Sequence, residues 1–270
     1  MCIILTYRLG LGDENTQPEP RLITMLTGQI VRMISAGVNH TLAITDRGDL
    51  FSWGSDRFGQ LGYGGSDAGK GSFIPKKVEN LKKSVVVAIA AGDSHSVCFT
   101  DSGEIYTWGC NKEGQLGIPP LERGAGVGGG SGISAPKRVY LPGQKLKQMD
   151  ARNNRFQASA VSCPLLQVAA SRCSTLLLCR PEGHESSRRG GGGASPPNEV
   201  YQWGHGSPYP SRVQFSRGLS PNPPSAGGKG DPMVDRFFGH QTAAIVNIVQ
   251  LSAGLYHNVA LSSMGHVYTW

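Results

Sequence analysis

Short apolar segments alternate with polar turn sequences along most of this chain. Residues 40–45 and 49–53 are five or six residues long, and both are rich in β-branched, aliphatic or aromatic side chains. The sequence Thr45-Asp46-Arg47-Gly48 joins them, and a polar start followed by glycine favours a tight turn. The alternation therefore predicts a β-hairpin.

The same pattern recurs at a fixed distance along the chain. Residues 34–62 and residues 89–117 align without a gap at an offset of 55 residues. Self-similarity at a period of this length indicates a repeat architecture. The signature positions are Gly37, His40, Gly48, Trp53, Gly54 and Gly62 in the first copy, and Gly92, His95, Gly103, Trp108, Gly109 and Gly117 in the second.

Two further copies follow. A degenerate copy opens at residue 168, carries Ser171 and Ser174 where the signature has glycine and histidine, and keeps Trp203. Residues 8–13 match the glycine-rich tail of a repeat. We therefore expect the chain to start inside one repeat and to end inside another. The last copy begins at residue 251 and retains Gly254, His257, Gly265 and Trp270.

Each repeat contains three or four short segments that the turn sequences would pair as antiparallel strands. One such sheet cannot bury both of its faces, so repeated sheets must stack around an axis. This arrangement is typical of a β-propeller. The predicted strand pairs are 40–45 with 49–53, 95–100 with 104–108, 174–179 with 199–203, and 257–262 with 266–270.

The motif A-G-x-x-H-x-x-x-x-T-x-x-G-x-x-Y-x-W-G-x-N-x-x-G-Q-L-G resembles the repeat of the regulator of chromosome condensation family. Residues 89–117 fit it almost letter for letter, and residues 34–62 differ at Phe51 and Asp56. The resemblance implies an all-β fold, a β-propeller of the seven-bladed type. About four blade-equivalents are present, which predicts a partial ring. Within the family, the chain most resembles the propeller of inhibitor-of-Bruton-tyrosine-kinase-like proteins, which carry ankyrin and BTB domains. A large ubiquitin ligase that carries such repeats fits equally well.

The repeats divide the chain, a single propeller unit over residues 1–270, into seven segments. Inserts rich in Gly and Pro predict disordered loops that project from the ring, at 118–135, 180–198 and 217–232. An open ring exposes strand edges, so we expect the chain to self-associate. The segments are a blade tail (7–26), a repeat (34–80), a second repeat (89–140), a connector (141–167), a degenerate repeat (168–215), a glycine- and proline-rich loop (216–240) and a half repeat (248–270).

Composition and charge narrow the class of protein. The 38 glycines and 17 prolines fit a globular, turn-rich fold, and the formal net charge of +7 permits an acidic partner. The basic residues are scattered, which favours a solvated surface over a nucleic-acid patch. Six cysteines without a C-x-x-C pair indicate reduced thiols. We therefore expect a cytoplasmic protein, with the nucleus as the alternative, and no association with a membrane.

The chemically active side chains have structural explanations. His40, His95 and His257 lie about one blade apart, so they occupy equivalent positions around a ring and do not converge on one point. The tryptophans of the signature fit packing between blades. Residues 64–72 nearly spell a phosphate-binding loop, but Gly71 replaces the metal-binding hydroxyl and no helix is expected after it. We predict no catalytic residues, no cofactor and no metal site, and hence no enzyme.

The predicted function is a non-enzymatic scaffold that binds protein partners through its loops. The resemblance implies the substrate- or partner-binding propeller of a larger adaptor of the ubiquitin-ligase type. The alternative, implied by the founding member of the family, is guanine nucleotide exchange on a small GTPase together with chromatin association. That role requires an acidic face for the GTPase, whereas this chain is basic overall.

Overall fold

The computed structural model describes residues 7–118, 132–142, 165–180, 196–215 and 246–270, and in these residues 15 strands form four antiparallel sheets. Blade 1 contains β1 (Val31–Ala36), β2 (His40–Thr45), β3 (Leu50–Gly54) and β4 (Ser72–Lys77). Blade 2 contains β5 (Val86–Ala91), β6 (His95–Thr100), β7 (Ile105–Cys110) and β8 (Gly132–Val139). Blade 3 contains β9 (Leu165–Ala170), β10 (Ser174–Cys179), β11 (Glu199–Gly204) and β12 (Ser207–Arg212). Blade 4 contains β13 (Ile248–Ala253), β14 (Asn258–Ser262) and β15 (Val267–Thr269).

Consecutive strands are neighbours in every blade, so each blade is an antiparallel meander. The four predicted hairpins are present as β2–β3, β6–β7, β10–β11 and β14–β15, which confirms the all-β prediction. The strand β3 begins one residue later than predicted because Asp49 closes the turn. Its carbonyl accepts the N–H of Thr45 at 3.0 Å, and its own N–H donates to Thr45 Oγ1 at 3.2 Å.

Helical structure is minor in the described part of the chain. It consists of three 3-10 turns of three residues each, at Thr24–Leu26, Gly65–Asp67 and Glu79–Leu81. None of the helices in this part is long or apolar enough to cross a bilayer. The predicted disordered loops fall largely on residues 119–131, 181–195 and 216–245, outside the described residues, as does most of the predicted connector. The loop prediction for 118–135 is wrong at residues 132–135, which pair with β7 as the start of β8.

Neighbouring blades stack in chain order. The first strand of each blade lies against the first two strands of the blade before it, so β5 contacts β1 and β2, and β13 contacts β9 and β10. An apolar cluster fills the space between each pair. Between blades 1 and 2, Leu42 and Leu50 face Ile89 and Trp108. Equivalent clusters lie between blades 2 and 3 and between blades 3 and 4.

This stacking supplies much of the stability of the fold. Burial of one Leu or Ile side chain contributes about 1.5–3 kcal/mol, and each cluster contains at least six buried apolar residues. A single blade has one such face on each side. The blades are therefore stable as neighbours and not as separate sheets.

Candidate functional site

The histidine of the repeat signature joins one blade to the next through a serine hydroxyl. His40 Nε2 of blade 1 lies 2.9 Å from Ser96 Oγ of blade 2. Ser96 Oγ donates its hydrogen to the carbonyl of Gln60 at 2.8 Å, and Trp108 Nε1 donates to the same carbonyl at 2.8 Å. Since the hydroxyl hydrogen is used, Ser96 must accept from His40, which fixes the tautomer with hydrogen on Nε2.

The next junction uses the same geometry with one difference. His95 Nε2 of blade 2 lies 3.0 Å from Thr175 Oγ1 of blade 3, and Thr175 Oγ1 donates to the carbonyl of Gln115 at 3.0 Å. Trp203 is fully buried there, but its Nε1 has no hydrogen-bond partner among the residues that the structure describes. The weaker geometry falls at the degenerate repeat that the sequence identifies.

The glycine-rich tail of each repeat packs on the tryptophan of the following blade. A Cβ atom on Gly62 would lie 2.8 Å from Trp108 Nε1, and the φ angle of Gly62 is +79°. A larger residue would therefore meet the indole and strain the backbone at once. Gly117 makes the same approach to Trp203, and Gly10 makes it to Trp53.

The N-terminal segment supplies such a tail to blade 1. The carbonyl of Arg8 accepts Trp53 Nε1 at 2.9 Å and Thr41 Oγ1 at 3.2 Å, as the carbonyl of Gln60 accepts Trp108 and Ser96. The N–H of Gly12 also donates to the carbonyl of Phe73 at 3.0 Å. Residues 8–12 therefore hold the position of a repeat tail.

A buried carboxylate or amide organises the tails of blades 1 and 2. Asp56 Oδ1 accepts the N–H of Leu61 at 2.7 Å, and its Oδ2 accepts the N–H of Gly69 at 2.8 Å. Asn111 caps the tail of blade 2 in the same way, with Oδ1 accepting the N–H of Leu116 at 3.1 Å. Burial raises the pKa of Asp56 to about 6, although the two backbone N–H groups oppose the shift.

Burial also lowers the pKa of the two signature histidines in blades 1 and 2. It lowers the pKa of His40 to about 4, and it lowers the pKa of His95 to about 3. Both rings are fully buried, and within the described residues the Nδ1 atom of each has no partner. A proton on either ring would therefore add a charge away from solvent, and for His40 a backbone hydrogen bond with His95 offsets only part of that cost. The rings remain neutral hydrogen-bond donors at physiological pH.

The junction between blades 3 and 4 departs from the signature. Ser171 and Ser174 replace the glycine and histidine, and their hydroxyls bond each other at 2.8 Å within blade 3. The amide of Gln167 takes over the contact between blades, since its Nε2 donates to the carbonyl of Leu251 and its Oε1 accepts the Leu251 N–H, both at 2.7 Å. The apolar cluster is nevertheless kept.

The signature residues of blade 4 are more open than those of the other blades. His257 is exposed, whereas His40 and His95 are buried. Trp270 contacts blade 3, where its Nε1 donates to Gln202 Oε1 at 2.6 Å and its ring packs edge-on against Phe215.

The glycines of the repeat signature fall into two groups. Gly48, Gly54, Gly62, Gly103, Gly109, Gly117 and Gly265 have positive φ angles, and Gly37, Gly92 and Gly254 lie against the histidine rings.

The loops at one end of the blades carry exposed charged side chains. The loops after the first and third strands of each blade emerge there because neighbouring strands are antiparallel. We call this end the loop face, formed by residues 37–39, 55–71, 92–94, 111–118, 171–173, 205–206 and 254–257.

Cations and aromatic rings meet at two points of the loop face. The Phe58 ring is contacted by Arg57 at 5.6 Å and by Lys112 of the next blade at 5.1 Å. Arg172 of blade 3 lies 5.5 Å from the ring of Tyr256 of blade 4. Arg57, Lys112, Arg172 and Tyr256 are exposed. Cations held over aromatic rings are common in protein recognition surfaces.

The near-match to a phosphate-binding loop takes a different structure. Residues Gly65–Asp67 form a single 3-10 turn, and the strand β4 follows at Ser72. A phosphate cradle draws its dipole and amide donors from a helix at this place, and the segment offers a strand instead. Among the residues that the structure describes, no group of His, Cys, Asp and Glu is arranged to hold a metal ion.

The sequence reasoning identified the histidines and tryptophans but missed their partners. The hydroxyl that accepts each histidine belongs to the following blade, and the carbonyl that both groups share belongs to a glutamine backbone. A signal was present, because a hydroxyl residue follows the signature position in each of the first three repeats, as Thr41, Ser96 and Thr175.

Stacked antiparallel meanders joined by a repeated His–hydroxyl–carbonyl contact define a repeat β-propeller. The model of the regulator of chromosome condensation (RCC1) repeat matches residues 6–44, 47–99 and 102–163, and a second model of this repeat matches 31–60 and 86–115. The first set covers more than half of the chain. The protein belongs to the RCC1 repeat family.

Its relatives include proteins of different size. The chain is 29% identical to the RCC1 domain-containing protein RUG3, mitochondrial, and 29% identical to the ultraviolet-B receptor UVR8, both of Arabidopsis thaliana, over 97% of its length. These matches cover 47% and 58% of the relatives, so the chain spans about half of their length. It is also 39% identical to human E3 ubiquitin-protein ligase HERC2 over 110 residues, 41% of this chain and 2% of that protein.

Solved structures share the fold. Human WBSCR16 superposes on 89% of the chain with a TM-score of 0.57 and 18% identity, over 47% of its own length. Yeast RCC1 (Prp20), solved bound to Kap60, superposes on 90% of the chain with a TM-score of 0.53 and 17% identity, over 44% of its length. Both likenesses are of fold alone.

Proposed function

We propose that this chain is a non-enzymatic interaction propeller that binds an acidic surface of a protein partner on its loop face. The observation that carries the proposal is a difference in position between two sets of side chains. The histidines and tryptophans of the signature are buried between blades 1, 2 and 3, while Phe58, which aligns with Glu113 in the next repeat, lies between the exposed cations Arg57 and Lys112 on the loop face. Side chains that differ between otherwise equal blades are free to serve recognition.

The buried histidines support a non-enzymatic role. His40 and His95 are fully buried, and each is already bonded through Nε2 to a hydroxyl of the next blade. A general base must reach the proton that it abstracts, and burial of this kind prevents contact with a substrate. Their lowered pKa values also place them far from the range useful for acid–base chemistry at neutral pH.

We further propose that the propeller is the partner-binding part of a larger adaptor of the ubiquitin-ligase type. The similarity to a 110-residue part of HERC2, a protein named as an E3 ubiquitin ligase, supports this assignment. The alternative is guanine nucleotide exchange on a small GTPase. The exposed cations Arg57 and Lys112 disfavour it, since the exchange role calls for an acidic face. A nucleotide-release assay with a panel of small GTPases separates the two functions.

A reducing compartment, the cytosol or the nucleus, is part of the proposal. Cys98, Cys110 and Cys173 carry free thiols, and Cys98 and Cys110 are buried. Burial raises the pKa of both buried thiols, which keeps them protonated and unreactive. Buried thiols without a disulfide are typical of proteins that remain reduced.

Charge reversal on the loop face tests the proposed function. Three proteins are used to capture partners by cross-linking: the wild-type chain, the loop-face variant Arg57→Glu/Lys112→Glu, and the control Lys82→Glu/Lys83→Glu. The control makes the same change of charge on exposed residues after β4, at the opposite end of the blades. We expect the loop-face variant to weaken capture by at least about tenfold and the control to retain it. Equal capture by all three proteins contradicts the proposal.

A further inference from the structure

Blade 3 differs from blades 1 and 2 in the connection between its last two strands. Residues 55–71 connect β3 to β4 and residues 111–131 connect β7 to β8, and each connection contains the tail sequence Gly-Gln-Leu-Gly. Only His205 and Gly206 connect β11 to β12. This connection therefore provides no repeat tail to the junction between blades 3 and 4.

At the junction between blades 1 and 2, the tail provides acceptors and an apolar side chain. The carbonyl of Gln60 accepts Trp108 Nε1 and Ser96 Oγ, both at 2.8 Å. The next residue, Leu61, is fully buried, and its carbonyl accepts Ser52 Oγ at 2.7 Å. Two backbone carbonyl groups and one leucine of the tail thus complete this junction.

The corresponding side chains between blades 3 and 4 are only partly satisfied. Trp270 Nε1 donates to Gln202 Oε1 at 2.6 Å, so a side chain replaces the tail carbonyl there. Asn258 pairs with Trp270 across two strands as Ser96 pairs with Trp108, so its amide lies where a tail would pass. Asn258 is 1% exposed, and its Oδ1 has no hydrogen-bond partner among the described residues. An unpaired buried acceptor is unfavourable, and a donor bound at this place would satisfy it.

The side chains at this place fit an uncharged peptide backbone. Gln167 shows how an amide of this chain pairs with a backbone, since its Nε2 donates to the Leu251 carbonyl and its Oε1 accepts the Leu251 N–H, both at 2.7 Å. The Asn258 amide has the same donor and acceptor groups. The arginine that blade 3 contributes to the loop face, Arg172, is paired with Asp93, with 3.6 Å between Nε and Oδ2. This ion pair leaves no net charge to attract an anion.

We propose that the junction between blades 3 and 4 binds an extended, uncharged peptide segment of a partner protein in the place of a repeat tail. We call this place the tail site and define it by Gln202, Asn258 and Trp270. The backbone of the segment pairs with the Asn258 amide, and a leucine takes the position that Leu61 and Leu116 hold in the other blades. A carbonyl of the segment accepts Trp270 Nε1 in exchange for Gln202. The tail site contains no cation of the loop face, so it holds or fails independently of the proposed function.

Binding of a synthetic peptide tests the tail site. The peptide has the sequence of residues 111–118, Asn-Lys-Glu-Gly-Gln-Leu-Gly-Ile, with a fluorophore at one end and the other end blocked. Its control carries the change Leu116→Asp. Fluorescence anisotropy measures the binding of each peptide to the full chain. We expect the control peptide to bind at least about tenfold more weakly, because its charged side chain would enter an apolar position.

The variant Asn258→Leu separates recognition from stability. Leucine has almost the same size and branching as asparagine, and removing an unpaired buried acceptor is neutral or stabilising. We therefore expect a melting temperature equal to or above that of the wild type, together with peptide binding that is weaker by at least about tenfold. Asn15→Leu is the control, since it makes the same change at an exposed residue of the N-terminal segment. It should retain peptide binding.

Four outcomes overturn the inference. Equal binding of both peptides shows that the chain has no site for the leucine. Equal peptide binding by the wild type and Asn258→Leu shows that the peptide binds elsewhere. A lower melting temperature of Asn258→Leu shows that the amide is already paired within the chain. A wild type that binds neither peptide, up to the solubility limit of the peptides, shows that the tail site is closed to a partner.

Discussion

Replacing Trp108 with alanine is expected to lower the free energy of unfolding by about 3–5 kcal/mol, the usual result of removing a large buried aromatic side chain. Trp108 is fully buried in the cluster between blades 1 and 2. Its removal leaves a cavity lined by both blades. It also deletes the hydrogen bond from Nε1 to the carbonyl of Gln60, one of the polar contacts that join the two blades.

Trp270→Ala provides the matched control. Trp270 occupies the equivalent position in blade 4, but it is 37% exposed and its Nε1 bonds a side chain, Gln202. We expect a smaller loss from this change because less apolar surface is withdrawn from water. Denaturant unfolding measures both. Equal midpoints for Trp108→Ala and the wild type contradict the assignment of Trp108 to the inter-blade core.

Replacing Gly109 with alanine has the second largest expected effect, a loss of about 2–5 kcal/mol. The φ angle of Gly109 is +103°, which a residue with a Cβ atom adopts at a cost of about 1–2 kcal/mol. Its Cβ would also lie 2.6 Å from the carbonyl oxygen of Ser94 and 2.7 Å from the Cα of His95. These are backbone atoms of the paired strand, so relieving the overlap must move the hairpin, at a further cost of about 1–3 kcal/mol.

Gly265→Ala separates the two contributions. Gly265 also has a positive φ angle, +81°, but a Cβ there has open space around it. We expect it to lose only the backbone contribution, about 1–2 kcal/mol. Thermal or urea unfolding of both variants gives the comparison. A loss at Gly265 as large as that at Gly109 would show that close approach of the strands contributes nothing.

The hairpins could be predicted from the sequence because the information for them is local. In three of the four hairpins the strand pair and its turn span 12 to 16 residues, whereas β10–β11 spans 31. The offset of 55 residues repeats the pattern in the first two copies. The strand ends were less certain. Side-chain capping of the turn, such as the bond from the Asp49 N–H to Thr45 Oγ1, lengthened it by one residue. Patterns of polarity do not encode that contact.

The partners of the signature residues could not be predicted in the same way. His40 meets Ser96, 56 residues away, and the hydroxyl in turn meets a backbone carbonyl that has no sequence signature. The cluster around Phe58 was missed for a related reason. Arg57 and Lys112 occupy equivalent positions of two repeats, and only the rotation from blade to blade brings both cations to a single ring.

The buried histidines make stability depend on pH. Since the pKa of His40 is about 4 and that of His95 about 3 in the folded chain, both bind a proton more readily when unfolded, at the usual value of 6.5. Stability is therefore complete above about pH 6.5 and falls as the pH drops from there toward 4. Asp56 opposes this loss of stability between about pH 6 and 4, because its raised pKa makes the folded state bind a proton more readily than the unfolded state. Two histidines outweigh one carboxyl group, so the net change is a loss.

The state of these two rings tests most directly whether the repeat signature joins the blades. Nitrogen-15 NMR of the imidazoles, assigned with His40→Gln and His95→Gln, measures the protonation and the tautomer of each ring at about pH 5. Hydrogen bonding to Ser96 and Thr175 predicts two neutral rings that carry their hydrogen on Nε2. If either ring in the folded protein is positively charged at that pH, or carries its hydrogen on Nδ1 alone, the histidines do not join the blades in this way.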